Sequence, residues 1–280
     1  MATSLTHSSG KNHHLHLVDL LEVALAILLA VALATAIVPL LFMNRTLAER
    51  QADVGGHHPL PLAAMMGDVA QVERLLAKGT GFNDLGLGQM SALMWAATEG
   101  HTVILEKLLV AGADVNAANT WGQTATILAA QWDDPAIVKR LLQRGADPNA
   151  FTRSGRTALM AAAQYGQAAT MPILIAAGAR VNNQDRQGET ALMGAVRRGS
   201  STTITALLKA GADVNRQNHA GYSALMLAAE RGDLAAVDVL LQAGANPNLK
   251  HRDAATARLI AQERGHERVV ERLLQAELSS

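Results

Sequence analysis

The feature that most constrains this chain is a period. Asn83, Asn116, Asn149, Asn182, Asn215 and Asn248 follow one another at steps of 33 residues. Gly122, Gly155, Gly188 and Gly221 keep the same step, as do Gly112, Gly145, Gly178, Gly211 and Gly244. So regular a return signals a stacked array, in which each unit is one supersecondary element that buries its apolar face only against its neighbours. A fold with a single irregular core gives no reason for turn residues to recur at fixed intervals.

Within one unit, Asp185 to Asn215, the order is a Gly-containing turn, then Thr190-Ala191-Leu192-Met193 and a short apolar run to Gly199. A second run ends at Leu207-Leu208, followed by Gly211-Ala212-Asp213-Val214-Asn215. Thr190 has the hydroxyl to cap a helix start, and Gly199 and Gly211 can take the left-handed conformation that ends one. The unit is therefore read as two short helices and a turn. Ile204, Leu207 and Leu208 lie at helical spacing and must face an adjacent unit, because a lone pair of helices this short is marginal in water. Only eight residues are aromatic (3 Trp, 2 Tyr, 3 Phe) although 49% are hydrophobic, so the apolar content is mostly Ala and Leu and favours closely packed helices.

These residues resemble the ankyrin repeat over about residues 57–278. The family turn, Thr-Pro-Leu-His-x-Ala-Ala, has its counterparts in Ser91-Ala92-Leu93-Met94-Trp95-Ala96-Ala97, in Thr157 to Ala163 and in Ser223 to Ala229. Met94, Met160, Met193 and Met226 stand where the family has His, so apolar packing must replace the polar contacts of that His. The resemblance implies five full units between an incomplete first unit, Pro59 to Asn83, and a charged last one, Asp253 to Gln275. Pro172 falls in a second helix, where a place in its first turn costs no backbone bond and a local irregularity is expected.

Ahead of the repeats, Val23 to Phe42 contains no charge and only Thr35 and Pro39 interrupt its apolar character. Twenty residues of helix span about 30 Å, the thickness of a bilayer's hydrocarbon core. The expected fold class is thus all-α, an ankyrin-type helix-turn-helix solenoid preceded by a single transmembrane helix. Its parts are a polar tail over 1–19, the membrane helix over 20–43, a linker over 44–58 and the repeat domain over 59–278. A cleavable signal peptide competes, since Ala34-Thr35-Ala36 has the small-x-small pattern of a cleavage site. Against cleavage stand Asp19 and Glu22 in the first region and apolar residues continuing to Phe42. Lys11 on one flank against Arg45 and Arg50 on the other is too small a difference to set the orientation. Because both routes usually carry the following domain outward, an extracytoplasmic repeat domain is the expectation and a cytoplasmic one the alternative. Ala26, Ala30 and Ala34 form a small-residue stripe that would suit packing against another membrane subunit, although an Ala-rich helix makes such stripes by chance.

Composition narrows the chemistry. With 24 basic and 24 acidic residues the net charge is zero, which argues against nucleic acid as a partner. Zero Cys excludes disulfides, thiolate metal sites and cysteine nucleophiles. His7, His13, His14 and His16 sit among Ser, Gly, Asn and Lys and read as part of a solvated tail. No phosphate-binding Gly loop or nucleophile elbow occurs, the repeats contain no metal-spaced His pair, and Asp133-Asp134 falls at a turn between helices, so the expectation is no enzyme, no cofactor and no metal.

The ankyrin resemblance implies that turn tips and first helices form the contact face. At those positions stand Trp121, Gln123, Trp132, Arg153, Arg156, Tyr165, Arg186, Glu189, Arg197, Arg198, Tyr222 and Arg231. Four of the five Trp and Tyr residues fall there, and, with Arg252 and Arg264 at the same positions of the last unit, eight of the 18 Arg, but none of the six Lys. Trp, Tyr and Arg dominate interface energies because they bring contact area and fork-shaped donors at limited entropic cost. Trp95, at a framework position, reads as core. The functional expectation is a membrane-tethered module for protein–protein interaction, an adaptor or accessory subunit of a membrane complex, with the bilayer as a second partner through 20–43. Alternatives are a non-catalytic helper of a periplasmic redox enzyme and a secreted protein after signal cleavage. Intact mass of the membrane-extracted protein is expected to include residues 1–36; a mature start at Ile37 would contradict the anchor.

Overall fold

The computed structural model describes residues 58–132 and 134–279. The expected membrane helix over 20–43, the tail and nearly all of the linker lie outside the described residues, and among the described residues no helix is long and apolar enough to cross a membrane. Among the described residues fourteen α-helices follow in pairs. The first pair is α1 (Pro59–Met66) and α2 (Val69–Ala77), the second α3 (Ala92–Thr98) and α4 (Thr102–Val110), the third α5 (Ala125–Ala129) and α6 (Pro135–Gln143). Then come α7 (Ala158–Tyr165) with α8 (Thr170–Ala176), α9 (Ala191–Arg198) with α10 (Ser201–Lys209), and α11 (Ala224–Arg231) with α12 (Leu234–Gln242). The pair α13 (Ala257–Glu263) and α14 (Glu267–Ser279) closes the array.

Local chemistry sets these boundaries. The side chains of Ser91, Thr124, Thr157, Thr190, Ser223 and Thr256 each accept a bond from the backbone N–H three residues on, so every first helix from α3 to α13 has the same cap. Asp68, Asp134, Ser200 and Asp233 cap second helices in the same way, which gives Asp134 a structural task. In α8 the equivalent residue is Gln167, whose amide instead reaches the carbonyl of Gln131 at 2.7 Å. α8 starts only at Thr170, holds Pro172 in its first turn where the missing N–H is unpaired anyway, and has no side-chain cap. That is the irregularity the sequence led us to expect.

First helices stack on first helices and second on second, α7 and α9 most extensively. Their shared interior is lined by Ala96, Ala129, Ala162, Ala195, Ala228 and Ala261, all fully buried, together with Leu105, Leu141, Leu174, Leu207 and Leu240 from the second helices. Small side chains on the first helices let neighbouring units approach, and the Leu residues fill the space between. Met94, Met160, Met193 and Met226 are 1–6% exposed, and the Met226 sulfur accepts from the Ser223 N–H at 3.5 Å. Apolar packing has taken over where the family has a His.

Polar bonds also run from unit to unit. Asn149 accepts the Arg180 N–H at 2.8 Å and donates to the Gly178 carbonyl at 3.0 Å. Asn116, Asn182 and Asn215 do the same to the unit that follows each of them. The Asn period is therefore an amide ladder that joins consecutive loops. At the turn tips, the N–H of Arg153, Arg186 and His219 donates to the carbonyl of Trp121, Ser154 and Gln187, at 2.8–2.9 Å. Gly188 shows why these turns need glycine: its φ is 77°, and a Cβ would lie 2.7 Å from the His219 nitrogen. In the last unit Ala254 occupies that turn position at φ 63°, a departure that belongs to an end unit.

One buried position breaks the pattern. Thr126 stands where other units have Leu93, Leu159, Leu192 and Leu225; it is 1% exposed and its hydroxyl has no partner. A buried hydroxyl without a bond costs about 1–3 kcal/mol. Thr126→Val, of the same shape, is expected to raise stability by about 1 kcal/mol and the thermal midpoint by a few degrees. An unchanged or lowered midpoint in calorimetry of the full chain would mean that the hydroxyl is satisfied in solution.

Candidate functional site

Turn tips and the exposed sides of the first helices share one surface. An open recess of about 480 Å³ is walled on one side by the turn residues Ser154, Gln187 and Glu189 and on the other by Gln164, Gly194 and Arg197 from α7 and α9. Beside it, a recess of about 280 Å³ is lined by Trp121, Ile127, Thr152, Arg153 and Ala161. On the other side, a recess of about 520 Å³ is lined by Arg186, Asn218, His219, Tyr222 and Arg252. Ser154 and Arg156 belong to the first two recesses, and Gln187, Glu189 and Arg197 to the first and third. The three form one groove across the units that contain α5, α7, α9 and α11.

Most of the twelve residues marked out in the sequence reach this surface, in different circumstances. Trp121 is 51%, Trp132 62% and Tyr165 46% exposed, whereas the interior apolar residues around them are nearly all below 10%. Large aromatic area is left in water here among the described residues. Arg153 and Arg186 are exposed at consecutive turn tips, and no carboxylate among the described residues forms an ion pair with either. Gln123 receives the amide of Asn119 at 2.9 Å, and Arg156 donates to Gln164 across the groove. Glu189 is engaged within the fold: Arg197 reaches it at 3.0 Å and the Asn218 amide at 2.6 Å. Tyr222 packs on the apolar interior and meets the His251 ring edge-on, centroids 4.4 Å apart.

Arg198 and Arg231 lie differently. Their side chains pass over Gly166 and Gly199, the residues that end α7 and α9. A cation over a helix carboxyl end is favoured by the helix dipole, so both side chains have a task within the stack. Arg264 at the same position of the last unit is paired with Glu230 at 2.6 Å. Trp95 is partly buried against the interior, with its ring nitrogen enclosed and unpaired.

Sequence reasoning passed over the groove floor. Trp95, Leu128, Ala161, Gly194, Leu227 and Ile260 are successive residues at one repeat position. Two small residues in the middle of a series of large ones make the depression that the recesses occupy. That signal was in the sequence, but the face on which the position lies was needed to read it. No group of three or more His, Cys, Asp or Glu among the described residues could hold a metal ion.

A repeat solenoid with a groove of turn tips and first helices is the architecture of a binding module. The family model for three-copy ankyrin repeats matches residues 27–119, 60–152 and 136–218, and the many-copy model matches 207–261. The chain belongs to the ankyrin repeat family. The crystal structure of the ankyrin repeat domain of Bcl-3, a unique member of the IkappaB protein family, is 30% identical with a TM-score of 0.69, and the match covers 79% of this chain and 99% of that one. The human ASB11 ankyrin repeat domain is 26% identical with a TM-score of 0.70, covering 79% and 98%. A search of curated proteins gave no match. Ankyrin repeat domains mediate protein–protein interaction and are typically non-catalytic.

Proposed function

We propose that this chain is a membrane-tethered adaptor or accessory subunit that captures a partner protein on the groove face of its repeats. The observation that carries the reading is the pair Trp121 and Trp132, 51% and 62% exposed beside an interior that is almost completely buried. Such rings match the composition of interface anchors, and Trp121 shares its recess with Arg153 and Arg156. The tether rests on the charge-free segment Val23 to Phe42, and the small-residue stripe within it offers a second surface for a membrane subunit. The groove residues and the segment are separate stretches of the chain, so one can hold a partner while the other holds the bilayer.

Full-length chain extracted in mild detergent, with Trp121→Ala or Arg197→Glu, is expected to recover the partner about tenfold less well than the parent. The thermal midpoint is expected to shift by no more than a few degrees, because both side chains are about half exposed. Undiminished capture by both variants would remove the groove face as the docking surface. Release of the chain from membranes by alkaline carbonate would remove the tether.

A further inference from the structure

The groove has unlike ends. At one end the recess above Ala161 is walled by Trp121 and Ile127, and Ala161 leaves a gap where Leu128 and Leu227 bring four-carbon side chains in their own units. At the other end Arg186 and Arg252 face a shared recess with the Tyr222 ring. Neither Arg forms an ion pair with a carboxylate among the described residues, while the nearby Glu189 and Glu230 are neutralised by Arg197 and Arg264. Arg186 and Arg252 are therefore the cationic groups at this end left to meet an occupant, with Asp185 and Asp253 next to them in the chain. Between the ends lies Gly194, a helical glycine with no side chain to lift an occupant off the floor, beside the amide groups of Gln164 and Gln187.

From these features, and resting on the reading of this face as the docking surface, we propose that the occupant is an extended acidic segment of the partner protein. A bulky apolar side chain fills the recess over Ala161 against Trp121, the segment's backbone crosses Gly194, and a pair of carboxylates is received by Arg186 and Arg252, one by each. Helices packed side by side are separated by about 8–10 Å, so the two ends of the groove, two units apart, are about 16–20 Å from one another. An extended chain advances about 3.3 Å per residue, which puts the apolar residue and the carboxylate about five or six positions apart. Glycine is the residue that permits close backbone approach, and Gln amides supply both donors and acceptors to a passing chain. A planar bilayer cannot enter a groove between turn tips and helices. A nucleic acid would leave the recess beside Trp121 and Ile127 without an apolar occupant, and would meet a neutral chain.

The test is fluorescence anisotropy of the full chain in detergent with a labelled peptide of about twelve residues, carrying one Leu and a Glu pair about six positions apart, in both chain directions. Replacing the Glu pair by Lys, or the Leu by Ser, is expected to weaken binding at least about tenfold, and added salt should weaken it steadily. Arg186→Glu with Arg252→Glu is expected to lose the Glu peptide and gain the Lys peptide. Ala161→Leu should cost about tenfold by filling the recess, whereas Gly194→Ala, whose added carbon meets its nearest atom at an ordinary 3.5 Å, should fold and report any general effect of altering the floor. Equal binding of Glu and Lys peptides would overturn the proposal. So would binding of an oligothymidylate or of phosphatidylglycerol vesicles as tight as that of the Glu peptide. If the peptide preference is absent while Trp121→Ala and Arg197→Glu still abolish partner capture, the acidic segment is wrong and the docking face stands; if capture also survives, both are wrong.

Discussion

Contact between one helix pair and the next holds this molecule together. No single pair of helices of five to thirteen residues encloses enough apolar surface to stay folded in water, so each depends on the units next to it. The Ala residues that face one another between first helices set the spacing, and the Leu residues of the second helices close the volume. Everything else that repeats serves this contact. Threonine and serine caps fix where each first helix from α3 to α13 begins, glycine turns let the tips approach, and the Asn ladder ties the loops at the same spacing.

Because the framework repeats, it is easy to read in a sequence, and what departs from it is left for other uses. Asn149 announced a unit boundary before its two bonds to the next loop were known. The capping role of Thr190 and the place of Pro172 in the first turn of a second helix followed from local chemistry alone. Harder to see were effects that require two units at once. Arg198 and Arg231 share the composition of contact residues, yet each lies over the end of a helix in the preceding unit. Tyr222 finds His251 from the unit after it. Thr126 occupies a Leu position, and only the packed interior shows that its hydroxyl has no partner.

The candidate site was half legible for the same reason. Exposed aromatic and basic residues stood out at the tips because turn positions recur and these did not match one another. The depression over Ala161 and Gly194 did not stand out, since small residues in an Ala-rich helix carry no signal until it is known which side faces the groove. A surface of this kind separates two demands. Residues that hold the stack are fixed by packing, while those lining the groove can change with little effect on stability and so can be matched to a partner.

The dependence of each unit on its neighbours is tested most directly by hydrogen exchange of the full chain carrying Leu159→Ala. Leu159 is 1% exposed in α7, and its truncation should cost about 2–5 kcal/mol. The account predicts faster exchange in α7 and α8 and, to a comparable degree, in α5, α6, α9 and α10, with the effect fading toward α14. Acceleration confined to α7 and α8, with both neighbouring pairs as protected as before, would show units that fold alone and would contradict a shared interior.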